Sequence, residues 1–372
     1  MHNKMKYISV LSASLLGMLA LTTSCNDEWK DEQYSHYISF SAPLTENGVT
    51  EINVPYTRRN YDANGNLLGN MFATDGQSGE GLSEYNLPVI VSGSNNNDRN
   101  LDIHFEADLD TLDVINTARF QLRKDLYYHP IRTDKEKADA AAQGETITSN
   151  ASYPDHLQIN KGQNVGLLNI RFDFNGLDLV DKWVLPIKIL DKTDNDNFDY
   201  ISHPRKHYAK AMLRVFPFND WSGLYSGTNQ KIFITGDDAN ASACETVRFY
   251  VVSENQVFFY PGLIDEDRQD RKNYKIYATF EGGNNGIVRF HCDNPAVKFK
   301  TNKDASYRVI EERDAVKDYL LHRYVIINNI DYEFVEYTSI KGYEMPYSVQ
   351  GTLTLDRIIN TQEPDKDYAI QW

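Results

Sequence analysis

Short segments in which apolar and polar residues alternate recur along most of this chain. In residues 101–108, for example, Ile103 and Phe105 alternate with polar neighbours, which is the two-residue period of a half-buried strand. The chain contains 24 Tyr and 17 Phe residues, and Asn and Asp are frequent between the alternating segments. Aromatic strands separated by Asn, Asp and Gly turns are typical of all-β proteins. The sequence therefore predicts an all-β fold.

Four features interrupt this pattern. In residues 110–120 apolar residues recur at helical spacing, which predicts a short helix or helical turn. Residues 134–145 are predicted to form a solvated helical insertion ended by Gly144. Residues 313–322 are the one helix-like segment of the C-terminal half. Pro186 lies inside the strong predicted strand "DKWVLPIKILD", which predicts an edge strand or a bulge.

The N-terminus places a cysteine between an apolar run and a burst of acidic residues. Lys4 and Lys6 precede a short uncharged apolar run, and small residues follow it up to Cys25, which predicts a secretory signal over residues 1–24. The arrangement resembles a relaxed lipobox of bacterial lipoproteins, in which the cysteine thiol is diacylated and becomes the new N-terminus. Two acyl chains hold a protein at a membrane stably, whereas one gives marginal binding. The alternative is an ordinary signal peptide cut elsewhere, with Cys25 incidental.

Residues 25–35 are predicted to form an acidic tether. The segment carries four acidic side chains directly after the cysteine, namely Asp27, Glu28, Asp31 and Glu32. It resembles the surface-export signal of Bacteroidetes lipoproteins, which implies a lipid-anchored protein of the outer membrane that faces the extracellular side. The alternative is a solvated tether that happens to be acidic.

The formal net charge of −15 makes negatively charged binding partners unfavourable. Phosphate backbones require stripes of Lys and Arg, so nucleic-acid binding is disfavoured, and a membrane-binding protein face is disfavoured as well. The charge suits solubility and neutral partners.

Beyond Cys25, the chain contains Cys244 and Cys292. Because there is no Cys-x-x-Cys pair, a zinc ribbon is excluded. In an exported protein the two cysteines could form one disulfide, and the alternative is two separate thiols.

The N-terminal half shows a characteristic order of elements. A helical segment at residues 110–116 precedes a strand–turn–strand unit with its turn at Lys161-Gly162, and the strand of residues 185–189 follows. This order resembles the N-terminal β-sandwich domain of unknown function found in Bacteroidetes surface lipoproteins. The resemblance implies an immunoglobulin-like β-sandwich over residues 36–192.

The second half resembles the second domain of the same lipoproteins. The resemblance lies in its opening residues, which are Trp221, Gly223, Tyr225 and Gly227. Residues 193–218 are predicted to be a linker with a connecting strand, and residues 219–372 a C-terminal antiparallel β domain, either barrel-like or a sandwich. Trp221 is expected to plug the core of that domain.

Catalytic and cofactor motifs are absent from the sequence. There is no H-E-x-x-H, no G-x-S-x-G, no P-loop and no dinucleotide fingerprint. Residues 62–66 and 193–199 carry incomplete calcium-loop patterns and are interpreted as turns. Residues 76–81 are interpreted as a flexible loop. The sequence predicts no enzymatic activity, no cofactor and no metal site.

Aromatic side chains are the candidates for ligand binding. Sugars present C–H faces that stack on aromatic rings, while nearby polar groups bond the hydroxyls. The candidate glycan contacts lie in a loop, at a strand start and on a strand face; they are Tyr127, Tyr128, Trp183, Phe258 and Tyr260. Each of them can also be interpreted as a core residue, and Trp183 begins a buried strand.

The resemblance implies a function as well as a fold. Accessory lipoproteins of this kind accompany SusC/SusD-like outer-membrane glycan importers, so the implied function is binding of oligosaccharides or polysaccharides at the cell surface. The C-terminal domain is the expected place of the glycan site. The alternatives are a structural or adhesin protein, a subunit that docks on the importer without its own glycan site, and a divergent hydrolase.

Overall fold

The computed structural model describes residues 35–62, 65–205, 208–236 and 239–372. The predicted signal segment, the predicted lipid-attachment residue Cys25 and almost all of the predicted tether lie outside these residues. Within the described ranges the chain forms two all-β domains, which confirms the predicted fold class. No helix in them is long and apolar enough to cross a lipid bilayer.

The N-terminal domain is a sandwich of two sheets. The first sheet contains, from edge to edge, β12 (Ile201–Ser202), β1 (Tyr37–Phe40), β5 (Leu82–Val91), β10 (Val165–Asp173) and β8 (Ala151–Ser152). The second contains β2 (Thr50–Pro55), β13 (Lys210–Phe218), β11 (Lys182–Ile189), β6 (Leu101–Ala107) and β9 (His156–Ile159), and β7 (Tyr128–Pro130) also pairs with β11. A separate hairpin joins β3 (Arg59–Tyr61) to β4 (Leu67–Asn70). Apolar side chains of both sheets, including Phe105, Leu168 and Leu213, form the buried core between them.

The segment predicted as a linker belongs to this sandwich. β12 pairs with β1 in the first sheet, and β13 pairs with both β2 and β11 in the second. Residues 193–218 are therefore not a linker, because they contribute one strand to each sheet and Leu213 and Val215 to the core. The sandwich extends to Phe218 instead of ending at residue 192.

Two helices confirm the helical segments predicted in the N-terminal half. α1 (Leu109–Phe120) begins where the Asp108 carboxylate accepts a hydrogen bond from the backbone N–H of Thr111. α2 (Asp134–Ala142) begins with a capping box formed by Thr133 and Glu136. Leu112 of α1 packs on the outer face of the second sheet. Short 3₁₀ helices cover Lys124–Leu126, Arg271–Tyr274 and Pro295–Val297.

Pro186 lies inside the second sheet and not at an edge or bulge. On one side of β11, β13 pairs with residues 184–188 without a break. On the other side, β7 pairs with residues 182–184 and β6 with residues 187–189. Pro186 sits at this change of partner, where its carbonyl accepts a hydrogen bond from the N–H of Asp108. The backbone N and C=O of a strand residue face the same side, so the nitrogen of Pro186 also faces β7 and β6. Pro186 lies in the gap between these two strands, where no ladder hydrogen bond requires an N–H.

The C-terminal domain is a closed antiparallel barrel, the first of its two predicted forms. Its strands, in pairing order, are β14 (Gly223–Ser226), β16 (Thr246–Val251), β17 (Gln256–Phe259), β18 (Ile276–Gly282), β19 (Asn285–His291), β21 (Ala305–Arg313), β22 (Leu320–Glu336) and β23 (Met345–Asn360). Pairing of Ser226 with Thr354 joins β14 to β23 and closes the barrel. Three further strands extend it: β15 (Gln230–Ile234) and β24 (Ile370–Gln371) pair with β23, and β20 (Lys300–Thr301) pairs with β22. Trp221 stacks on Phe280 with ring centroids 4.4 Å apart and packs against the barrel core, as expected.

Residues 313–322 do not form the predicted helix. β21 and β22 enter this segment from both sides, and only a short turn separates them. The Asp314 carboxylate accepts hydrogen bonds from the backbone N–H groups of Val316 and Lys317. The helical prediction is wrong because this side-chain turn offers the backbone an alternative to helical hydrogen bonds.

Candidate functional site

An open cleft of about 650 Å³ lies on the N-terminal domain. Three segments line it: the loop of residues 71–77, the start of α2 with residues 149–152, and the paired ends of β5 and β10. Small-molecule sites usually occupy clefts of about 300–1,000 Å³. The cleft therefore has the dimensions of a ligand site.

The loop that follows β4 is closed on itself. Thr74 and Gln77 form an antiparallel bridge across it. Gly79 has a φ of +71°, and a Cβ on this residue would lie 2.6 Å from the backbone nitrogen of Ala73. A side chain is therefore excluded here on both conformational and steric grounds. Residues 76–81, interpreted as a flexible loop, thus pack closely on the backbone of residues 72–73. The loop of residues 71–77 forms the wall of the cleft that includes Phe72.

Phe72 and Arg171 provide the most distinctive pair of groups in the cleft. The guanidinium carbon of Arg171 lies 5.4 Å from the centroid of the half-buried Phe72 ring, a cation–π distance. Arg171 comes from β10, where it pairs with Ser152 of β8 and is exposed. The pair combines an apolar ring with a planar set of N–H donors.

Polar groups on the α2 side complete the cleft. The Ser149 hydroxyl donates to the Asp134 carboxylate over 2.6 Å. The Asn150 amide donates to the carbonyl of Asp173 over 3.0 Å, which ties this segment to β10. Lys137 follows Asp134 by three residues on α2, so the two share a helix face. The cleft thus offers carboxylate, ammonium, amide and hydroxyl groups around one aromatic ring, which suits a ligand rich in hydroxyls.

Three of the five predicted glycan contacts are buried elsewhere. Tyr128 is 3% exposed and packs beneath α1 against Val184. Phe258 is 1% exposed and Tyr260 5% exposed, and both belong to a cluster between the two domains that includes Val180. A ring buried to this extent has no free face for a sugar, so the prediction is wrong for these three residues.

The other two predicted contacts are half-buried and lie outside the cleft. The Tyr127 hydroxyl donates to the carbonyl of Gln121 over 2.8 Å. The Trp183 indole N–H donates to the carbonyl of Asp178 over 2.8 Å, and its ring packs partly on the sandwich core. The structure does not bring Tyr127 or Trp183 together with Phe72, and their role as contacts stays a prediction.

The buried aromatic cluster is part of a domain junction that also contains ion pairs. Arg214 of the sandwich lies 2.9 Å from Glu266 of the barrel, and the Tyr250 hydroxyl donates to the same carboxylate over 2.8 Å. Burial alone would raise the pKa of Glu266, but the charges of Arg214 and Lys182 outweigh it and lower the pKa to about 2. The junction therefore holds an ionised carboxylate between the domains at neutral pH.

Cys244 and Cys292 are separate, half-buried thiols, so the disulfide that the sequence left open is not formed. Each thiol instead donates to a nearby backbone carbonyl, that of Thr246 over 3.0 Å and that of Asn294 over 3.7 Å. Burial raises the pKa of both thiols. Of the two alternatives left open by the sequence, the structure shows the second.

The two segments with incomplete calcium patterns contain side-chain turns. The Asp62 carboxylate accepts from the N–H of Asn66 over 2.7 Å, although residues 63 and 64 between them lie outside the described ranges. The Asp191 carboxylate accepts from the N–H groups of Thr193 and Ser202, each over 2.8 Å. Across the described part of the chain, no group of three or more His, Cys, Asp or Glu side chains is placed to hold a metal ion.

Known proteins match this chain along both domains. A family model described as a domain of unknown function, DUF4973, matches residues 29–193, and a model for a C-terminal domain matches residues 209–354. The solved structure of an auxiliary nutrient binding protein from Bacteroides thetaiotaomicron is 45% identical, covers 91% of this chain and 100% of its own, and superposes with a TM-score of 0.75. This chain belongs to the same family.

Other members of this Bacteroides family have solved structures. A multidomain protein including DUF1735 from Bacteroides ovatus is 33% identical over 90% of this chain and 100% of its own, with a TM-score of 0.69. A Bacteroides ovatus protein of unknown function is 33% identical over 91% and 97%, also with a TM-score of 0.69. A comparison with curated protein sequences gave no match. The family membership confirms the expected relation to Bacteroidetes proteins with domains of unknown function.

Sequence reasoning missed Phe72 and Arg171. The aromatic candidates came from predicted strands, their ends and one loop before a proline, and neither residue met those criteria. A usable signal was present in "MFATDGQSGEG", residues 71–81, where one aromatic residue adjoins a polar, glycine-rich loop. Arg171 carried no comparable signal, because it is one of several charged residues that alternate with apolar ones along a strand.

Proposed function

We propose that this protein binds oligosaccharides or polysaccharides through the cleft on its N-terminal domain and does not catalyse their breakdown. The observation that carries the proposal is the Phe72 ring, paired with Arg171, inside an open cleft lined by polar groups. The relation to an auxiliary nutrient binding protein supports it. The site differs from the expected one, because the cleft lies on the sandwich and not on the barrel.

The chemistry of the cleft favours a neutral, hydroxyl-rich ligand. Its charged residues balance, with Lys137 and Arg171 against Asp134 and Asp173. An aromatic ring stacks on the C–H face of a sugar, while carboxylates and amides accept and donate hydrogen bonds at the hydroxyls. A sugar therefore matches both the apolar and the polar part of this surface, whereas an apolar ligand would leave the polar groups unpaired.

The protein is also proposed to act at the cell surface, anchored by acyl chains on Cys25, as an accessory to a SusC/SusD-like importer. The signal-like N-terminus, the acidic tether and the Bacteroides family support this part of the proposal. Replacement of the anchor residue, Cys25→Ser, is expected to move the protein from the outer-membrane fraction to the soluble fraction. An unmodified N-terminus at another residue, found by mass spectrometry, would contradict the anchor.

Binding to a panel of immobilised glycans tests the main proposal. At least one glycan is expected to retain the wild-type protein, and Phe72→Ala and Arg171→Ala are each expected to weaken that binding roughly tenfold or more, as for central contacts of an interface. Tyr343→Ala is the matched control, because this aromatic residue is 58% exposed on the barrel, away from the cleft. Binding that survives both cleft substitutions would contradict the proposed site.

Two further measurements separate the alternatives. Incubation of the protein with the same glycans is expected to release no reducing ends. Release that depends on the protein would show that it is a hydrolase and would contradict the proposed function. Co-purification with an importer, without binding to any glycan, would favour the alternative of a subunit that docks on the importer.

A further inference from the structure

A second pocket, of about 300 Å³, lies where the two domains, the β3–β4 hairpin and the C-terminal strand β24 meet. Its walls are strongly charged, in contrast to the aromatic cluster of the domain junction. The charged side chains that decide its chemistry are Arg59, Asp220, Glu254, Arg323, Arg357 and Lys366. The volume is at the lower end of the range for small-molecule sites, about 300–1,000 Å³.

All three carboxylates of this pocket are already engaged in ion pairs. Arg59 lies 2.9 Å from Glu254 and 3.4 Å from Asp220. Arg323 lies 3.0 Å from Asp220 on the other side. The third carboxylate, Asp367, pairs with a residue behind the pocket wall, Arg58, over 2.8 Å.

The other two cations form no ion pair within the described part of the chain. Arg357 is 6% exposed and donates only to the backbone carbonyls of Asn219 and Ser222, over 2.9 and 2.7 Å. Lys366 is exposed, contacts the carbonyl of Gly65, and lies 5.3 Å from the centroid of the Tyr61 ring. Burial lowers the pKa of Arg357 to about 10, which still leaves it charged at neutral pH. Cations therefore exceed carboxylates in this pocket, on a chain with a formal net charge of −15.

Two lining atoms also lack hydrogen-bond partners among the described residues. Nε of Arg323 is a buried donor that lies 3.8 Å from a carboxylate oxygen of Glu311, beyond hydrogen-bond distance, and one carboxylate oxygen of Glu254 is a buried acceptor. Buried polar atoms are paired in most native structures, since an unpaired one costs about 1–3 kcal/mol. A hydroxyl group can pair with an atom of either kind, because it can both accept and donate.

We propose that this pocket is a second carbohydrate site, selective for a carboxylated monosaccharide unit such as a hexuronate. The sugar carboxylate compensates the charges of Arg357 and Lys366, and its hydroxyls pair with Arg323 and Glu254. This site is distinct from the neutral cleft near Phe72, and it does not depend on the function proposed for that cleft. The competing explanation is that the charges only hold the two domains together.

Titration calorimetry of the full chain with glucuronate and galacturonate, and with glucose and acetate as comparisons, distinguishes the two. At least one uronate is expected to bind, roughly tenfold or more tighter than glucose and acetate, because a charge-assisted hydrogen bond is lost without the carboxylate and the hydroxyl contacts are lost in acetate. Affinity is expected to fall with added salt. Absence of uronate binding, or equal affinity for glucose or acetate, would overturn the proposal.

Substitutions then locate the uronate. Lys366→Gln removes one exposed cation and is expected to weaken uronate binding roughly tenfold, whereas Lys341→Gln, an exposed lysine elsewhere on the barrel, should leave it unchanged. Phe72→Ala is expected to leave uronate binding unchanged, so failure of the neutral-glycan proposal would not affect this one. Uronate binding that Phe72→Ala abolishes, or that Lys366→Gln does not alter, would place the acid elsewhere and overturn the proposal.

Discussion

An aromatic cluster on the barrel and a single aromatic residue on the sandwich both lie outside the two main cores, and they differ in what covers them. On the barrel, Tyr250, Phe258 and Tyr260 form a cluster that the sandwich covers through Val180. On the sandwich, Phe72 remains half-buried in an open cleft, where Arg171 lies against its ring. An aromatic residue outside a core can therefore join two domains or remain available for a ligand. The outcome depends on whether a neighbouring domain covers the ring.

The two regions also differ in whether their charged side chains are paired within the protein. At the domain junction, Arg214 pairs with Glu266 over 2.9 Å and Lys182 with Asp267 over 2.6 Å. In the cleft, by contrast, the four charged lining residues form no ion pairs with other described residues. Charges at the junction are neutralised within the protein, whereas those of the cleft are available to bond a ligand.

The largest effect is expected from the covered cluster. Phe258→Ala removes a ring that stacks on Tyr250 with centroids 5.0 Å apart and is 1% exposed. The free energy of unfolding in urea is expected to fall by about 3–5 kcal/mol, as for other buried Phe→Ala changes. The control is Leu224→Ala on β14, which pairs with β16, where the side chain is 49% exposed and the cost should stay within about 0.5 kcal/mol. Equal effects of the two substitutions would show that the junction is not packed as described.

The next effect concerns the ion pair of the junction. The pKa of Glu266 is about 2 in the folded protein, below its ordinary value of 4.5, because Arg214 and Lys182 outweigh the effect of burial. Its contribution to stability is therefore complete above pH 4.5 and is lost as the pH falls towards 2. The full contribution is at most about 3 kcal/mol.

Chemical denaturation of the wild type and Glu266→Gln across this pH range measures that contribution. The difference in their free energies of unfolding is expected to be largest near neutral pH and to shrink as the solution is acidified, because a protonated Glu266 resembles Gln in charge. Other carboxylates titrate in both proteins and cancel in the difference. A difference that does not change with pH would contradict the ion pair.

Local patterns were sufficient for much of the fold. Alternation over residues 101–108 predicted β6, and helical spacing in residues 110–120 predicted α1, since both depend on neighbours within a few positions. These elements were predictable because one short segment contains all the information that specifies them.

Features that join distant segments were not predictable. Closure of the barrel depends on the pairing of Ser226 with Thr354, which lie more than a hundred residues apart. Phe258 lies on the opposite face of β17 from the core residues Val257 and Phe259, and nothing local identifies the domain that covers it. The cleft likewise combines a loop, a helix start and two strands, so Phe72 and Arg171 meet only in the folded protein.

A smaller effect is expected at the loop that forms one wall of the cleft. Gly79→Ala places a Cβ 2.6 Å from the nitrogen of Ala73 at a positive φ, whereas Gly76 also has a positive φ but a Cβ on it would meet nothing within 4 Å. Gly79→Ala is expected to cost about 1–3 kcal/mol and to weaken glycan binding, and Gly76→Ala about 1 kcal/mol with binding retained. Thermal denaturation and glycan retention measure both. Equal losses for the two variants would contradict a loop closed by contact at Gly79.

The smallest effect on stability is expected at Phe72, and it tests the comparison most directly. Because this ring lies outside the sandwich core and contacts the exposed Arg171, Phe72→Ala should change the free energy of unfolding by no more than about 0.5 kcal/mol. The same substitution is expected to remove most glycan binding, so function and stability separate at this residue. At Phe258 the effects on function and stability cannot be separated, because removal of the Phe258 ring disrupts the packing between the two domains. If Phe72→Ala destabilised the protein as much as Phe258→Ala, the Phe72 ring would be a structural support of the loop. That result would contradict the proposal that the cleft is a ligand site.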